Sequence, residues 1–180
     1  MFKSIIVSLL FTVLFASCSI EKTIYKDNGH YCLTRKDADW ILSFPSEGYS
    51  IEDQAHNAKS STFIFNEEQK KYIVVCEIDK NDECHDAFSC RENFINNPVG
   101  TPFLKLAGKL TKYDIGQAAV VEYFVGKYEG QDIDQNNITA VFYKKGFSIK
   151  IHISKPMYQE SERGKMIKFI ESISFVGKQK

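Results

Sequence analysis

Phe147-Ser148-Ile149-Lys150-Ile151-His152-Ile153-Ser154 sets an apolar residue at every second position. Successive side chains of a strand point to opposite faces, so Phe147, Ile149, Ile151 and Ile153 share one face and Ser148, Lys150, His152 and Ser154 the other. The stretch reads as a strand in a sheet with a core face and a wetter face. Just before it, Lys144-Lys145-Gly146 offers a glycine where a tight hairpin needs unusual backbone angles, and Ile138 to Tyr143 supplies the partner strand. Ala119 to Val125 reads as the strand before that, joined through the polar stretch Glu129 to Asn137. The whole run from Leu104 to Ser154 is expected to form an antiparallel meander.

Towards the C-terminus, Met166, Phe169, Ile170 and Ile173 recur at three- and four-residue steps, which predicts an amphipathic helix able to cover the sheet. Towards the N-terminus, Trp40-Ile41-Leu42-Ser43-Phe44-Pro45 reads as a strand ended by its proline and followed by the turn Pro45-Ser46-Glu47-Gly48. Ser61 to Phe65 and Lys71 to Ile78 flank a polar connection and read as a hairpin. Phe88, Arg91 and Ile95 predict a short helix near residues 86–96, stopped at Asn97-Pro98. The expected fold class is α+β, an antiparallel sheet of about six or seven strands packed against helices.

The first residues are different. Lys3 precedes an apolar run, Ile5 to Ala16, which closes in Ala16-Ser17-Cys18. A run of about 12 residues is short of the roughly 20 that a spanning helix needs, and a cation-led apolar segment closed by small residues is the pattern of an export signal. Leu14-Phe15-Ala16-Ser17-Cys18 resembles the lipobox of bacterial lipoproteins, in which the cysteine thiol is acylated and becomes the new N-terminus. The resemblance implies that Cys18 is the lipidation site and the attachment to a membrane, with two or more acyl chains giving a stable hold. On this reading residues 1–17 are a signal peptide, 18–36 the lipidated N-terminus and a linker, and 37–180 one α+β domain, with the folded unit starting near Trp40. Ser19 after the cysteine fits sorting to an outer membrane, with the domain facing the periplasm.

Composition narrows the partners. The chain has 23 basic and 23 acidic residues, so it lacks the positive excess that phosphate binding needs, and nucleic acid is not an expected partner. With 43% hydrophobic and 13% aromatic residues it is a folding sequence and not a disordered one.

Four cysteines follow Cys18: Cys32, Cys76, Cys84 and Cys90. An exported protein meets an oxidising compartment, where pairs persist. Proximity favours a Cys84–Cys90 disulfide. Six residues of continuous helix rise about 9 Å, beyond the roughly 7 Å that bridged Cα atoms tolerate, so the bridge and an unbroken helix exclude each other. Cys76 lies in the strand-like run Tyr72 to Cys76, where it reads either as a small buried hydrophobe or as a partner for Cys32.

Trp40-x-Leu42-x-Phe44-Pro45-x-x-x-Tyr49, the late antiparallel strands, and the closing helix with Ile170-Glu171-Ser172-Ile173-Ser174-Phe175 resemble the PsbP-like, or Mog-type, superfamily, which includes small bacterial lipoproteins. The likeness spans Trp40 to Phe175. It implies an antiparallel sheet between helices and a non-catalytic binding or assembly role. The cysteine-bearing insert around residues 76–90 has no counterpart there, and the resemblance transfers no functional residue.

Catalytic signatures are missing from the chain after Cys18: it holds no G-x-S-x-G, H-E-x-x-H, P-loop, G-x-G-x-x-G or C-x-x-C. Ser148, Lys150 and His152 share a strand face, but neighbours two apart lie roughly 6 to 7 Å from each other, too far for a direct nucleophile–base hydrogen bond. Cys84, His85 and Cys90 carry ligand types that suit zinc or copper, yet C-H-x4-C is not a usual ligand spacing and a disulfide would consume both sulfurs. Asp79, Asp82, Glu83 and Asp86 lack the central glycine and last glutamate of a calcium loop and read as a solvated turn. The expectation is therefore a lipid-anchored, non-enzymatic envelope protein, with no cofactor or metal, that binds another protein or a small envelope ligand. A thiol- or metal-binding protein or enzyme built on Cys84, His85 and Cys90, and an envelope immunity or inhibitor lipoprotein, are the alternatives.

Overall fold

Two antiparallel sheets face each other across one apolar layer. The computed structural model describes residues 23–56, 60–67, 72–97 and 102–178. In chain order these form β1 (Ile24–Asp27), β2 (His30–Leu33), β3 (Trp40–Pro45), β4 (Tyr49–His56), β5 (Ser60–Glu67), β6 (Ile73–Lys80), α1 (Ala87–Asn96), α2 (Pro102–Leu106), β7 (Leu110–Ile115), β8 (Ala118–Tyr128), β9 (Gln131–Lys144), β10 (Phe147–Lys155), α3 (Arg163–Glu171) and β11 (Ser174–Gly177). The smaller sheet runs β1-β2-β3-β11 and the larger β4-β5-β6-β10-β9-β8-β7. The fold is α+β, as the alternation of residues 147–154 and the amphipathic C-terminal helix require.

In β10, Phe147, Ile149, Ile151 and Ile153 are at most 5% exposed, and they meet Phe63 and Phe65 of β5, Val74 and Ile78 of β6, and Leu42 and Phe44 of β3 in one cluster. Ring contacts join the two sheets and α3: Trp40 stands edge-on to Phe147 of the larger sheet at 5.5 Å and to Phe175 of its own at 5.6 Å, and Phe44 touches Phe65 of the larger sheet and Phe169 of α3, both at 5.2 Å. Met166, Phe169 and Ile170 of α3 close this layer.

Four expectations change. Residues 24–33, expected within the linker, are β1 and β2: Asn28 and Gly29 take φ of 45° and 76°, the left-handed pair a two-residue hairpin turn requires, and Tyr31 and Leu33 are buried. The polar stretch Glu129 to Asn137 is not a connection, because Glu129 and Gly130 turn the chain at φ 49° and 81° and β9 starts at Gln131. The meander begins at Leu110, since Pro102–Leu106 is helical. Finally, α3 stops at Glu171, short of Ile173, and the segment after it becomes β11, where Phe175 packs on Trp40 and Phe142. The second face of β10 is also drier than its sequence suggests. α1 lies over the neighbouring β8 and β9, and Ser148 and Ser154 are 4% and 7% exposed.

Candidate functional site

The α1 face of the large sheet holds the residues that the sequence singles out. Asp86 caps α1: its carboxylate accepts the Ser89 amide at 2.6 Å and the Ser89 hydroxyl accepts the Asp86 amide at 3.2 Å. Hydrogen bonding from the Ser89 amide first, and from its side chain, holds the Asp86 carboxyl below the usual carboxylate range. Because the cap falls at Asp86, Cys84 lies outside the helix and Cys90 in its first turns. Their Cα atoms are 5.0 Å apart and the two are joined in a disulfide. Bridge and helix thus coexist because the helix does not include Cys84. The buried disulfide packs on Val141 and Tyr143. His85 points outward, its side chain 84% exposed. With both sulfurs bonded to each other, Cys84, His85 and Cys90 present no thiolate. Cys32 and Cys76 are free, buried thiols, and burial pushes the Cys76 thiol up.

Beside the disulfide is a recess of about 520 Å³ between the ends of β6 and β10 and the outer turns of α1, lined by Asp79, Asn81, Glu83, Asn93, Phe94, Asn97, Ser148 and Lys150. The amides are tied in sequence: Asn97 Nδ2 donates to Asn93 Oδ1 (2.9 Å), Asn93 Nδ2 to a Glu83 carboxylate oxygen (3.2 Å), and the Glu83 amide to Asn81 Oδ1 (2.7 Å). Lys150 Nζ lies 2.8 Å from Glu77 and 3.1 Å from Asp79, with the Phe94 ring 5.9 Å away. Burial works against the charged amine, but the two carboxylates outweigh it and hold Lys150 above the ordinary lysine range. It is a fixed cation and not a base for Ser148.

One step along the strand, His152 Nδ1 is hydrogen-bonded to Thr139 Oγ1 at 2.9 Å and its ring stacks on Tyr123, centroids 6.3 Å apart. Burial pulls the imidazole down to about 4, so it is neutral at pH 7. Ser148, Lys150 and His152 therefore share a face, but Lys150 is held by Glu77 and Asp79 and His152 by Thr139.

On the opposite face the structure builds a constellation that local sequence did not signal. Glu122 of β8 receives Arg163 through Nε (3.0 and 3.1 Å) and Nη2 (2.7 Å), Asn136 Nδ2 at 2.9 Å and the Tyr113 hydroxyl at 2.8 Å. Burial alone would raise its pKa; these donors, Arg163 foremost, hold it below the glutamate range. Every lone pair direction is committed, so Glu122 clamps the start of α3 to the sheet.

Cys18 lies outside the described residues. Among the described residues, no helix is long and apolar enough to cross a membrane. No protein-family model matches the chain, and no curated protein does. Among solved structures, it is similar to a crystal structure from Bacteroides thetaiotaomicron at 10% identity and TM-score 0.48, over 79% of this chain; this chain spans only 46% of that one. It is also similar to the solution structure of the cyanobacterial PsbP protein of Synechocystis, at 11% identity and TM-score 0.53, over 85% of this chain and 95% of that one. The second likeness covers both chains nearly end to end and shows what the two share, a PsbP-like α+β fold.

Proposed function

We propose that this chain is a lipid-anchored bacterial envelope protein, tethered through Cys18, whose PsbP-like domain is a non-catalytic binding module. One observation carries the binding reading: the recess beside α1 offers paired amides, carboxylates and one aromatic ring, with its cation already neutralised by Glu77 and Asp79. Amides both donate and accept, and Phe94 adds an apolar wall. Such a surface fits a neutral, hydroxyl- or amide-rich ligand, or a polar segment of a partner protein, better than an anion. Lys150, held in its charged form by Glu77 and Asp79, suits recognition and not proton transfer.

The test is a photo-reactive phenylalanine analogue placed at Phe94 in the producing cell, with Phe124 on the opposite face as control. A discrete light-dependent adduct at Phe94 and none at Phe124 supports the reading, and its mass tells protein from small ligand. Equal or absent adducts at the two positions overturn it. Mass spectrometry of the native N-terminus checks the tether separately.

A further inference from the structure

The two sheets end together at one pole, gathered around Phe147. Lys80 and Lys144 are the cross-strand partners of Phe147, and the Arg35 guanidinium lies 5.9 Å from its ring. Lys36 follows Arg35, Lys145 pairs with Asp39, and Lys178 donates from Nζ to the Arg35 carbonyl at 2.8 Å. Two acids at this pole are matched, Asp37 by Arg35 and Asp39 by Lys145, and the exposed Asp82 stands two residues after Lys80. Glu83, further along, is turned to α1 by Asn93. Lys36, Lys80, Lys144 and Lys178 remain outside any ion pair among the described residues; Lys36 and Lys80 are exposed, and Lys144, over the Phe175 ring, and Lys178 are half-buried. The far ends of the sheets carry Asp27, Glu129 and Asp132 alongside Lys26 and Lys127, the last paired with Asp132.

This basic pole is also where the chain enters the domain, since the Thr23 carbonyl accepts the Thr34 amide at 2.9 Å. Cys18 is five residues earlier. A chain advances at most about 3.5 Å per residue, so a lipid on Cys18 confines Thr23 to within about 18 Å of the head groups. We propose that Lys36, Lys80, Lys144 and Lys178 rest on the anionic head groups of the bilayer that holds the anchor, which orients the domain with this pole inward and the far ends outward. The inference builds on the Cys18 tether: acyl chains set the distance, and the lysines set the orientation. Attraction to an anionic surface is short-ranged and weakened by salt.

The test uses the native protein, purified from its membranes and reconstituted in vesicles of phosphatidylcholine alone or mixed with phosphatidylglycerol, and reads amine labelling by mass spectrometry. Lys36, Lys80 and Lys144 are expected to label at least about five-fold more slowly on the anionic vesicles, with high salt abolishing the difference. Lys127, at the far end, is expected to label equally on both. The K36Q/K80Q/K144Q variant is expected to lose preferred orientation, read as equal labelling of Lys178 on both vesicles. Equal rates for the pole lysines, or equal slowing of Lys127, overturn the proposal. The N-terminal mass reads acylation independently: an unmodified Cys18 overturns the tether, and flotation of that same protein with anionic but not neutral vesicles would still support the basic pole, whereas no flotation would overturn it.

Discussion

On one face of the large sheet Phe63, Phe65, Ile149 and Ile151 are fully buried against Leu42 and Phe44; on the other, Val141 has a disulfide and Tyr143 for neighbours, and His152 and Lys150 replace isoleucines. The first face is sealed by a second sheet and α3, the second by ten residues of α1 and five of α2. Apolar area holds the first together, whereas the second combines a smaller apolar cluster of Leu104, Tyr123 and Val125 with a covalent bridge and fixed hydrogen bonds. The contrast separates a face that carries global stability from one free to carry a binding surface.

The most direct way to break this comparison is on the dry face. Phe44→Ala should cost about 4 kcal/mol, read as a lower urea midpoint with an unchanged slope; a loss below about 1 kcal/mol would mean that the inter-sheet layer is not the main core. Acid attacks the other face. His152 holds its proton only below about 4 when folded, against 6.5 for an ordinary histidine, so between these values the unfolded chain binds more protons. Its contribution is complete above pH 6.5, is lost as the pH falls towards 4, and amounts to up to about 3 kcal/mol. Stability measured from pH 7 to pH 4 should show this slope, and His152→Gln should flatten it.

Replacing both bridged cysteines, C84A/C90A, should cost about 2 kcal/mol. Hydrogen exchange should place the loss in α1 ahead of the strands. The smallest effect has the opposite sign. The Tyr123 hydroxyl is buried without a hydrogen-bond partner among the described residues, so Tyr123→Phe should stabilise the domain, by up to about 1 kcal/mol in thermal melts.

Legibility in the sequence followed locality. The alternation of β10, the proline-ended β3 and the hairpin of β5 and β6 are written in neighbouring residues, and the structure has them. β1 and β2 were announced only by Asn28-Gly29, a hairpin dipeptide flanked by runs of four residues, too short to show a period. β11 was hidden because Ile173 continues the spacing of α3, and only pairing with β3 makes the next residues a strand. The candidate site divides the same way. Cys84 and Cys90 could be paired from their separation, and Lys150 and His152 placed on one face. That Lys150 is locked by Glu77 and Asp79, or Glu122 by Arg163, depends on strand register and helix placement, which no window of sequence contains.

The pairing of Trp40 with Gly177 has a consequence for biogenesis. The smaller sheet takes its fourth strand from a segment far downstream of the other three, so its hydrophobic layer stays open until Ser174–Gly177 has been synthesised. A polypeptide that cannot close early remains threadable, a useful property if it must pass through a translocation pore, and one that leaves truncated products for proteases to clear.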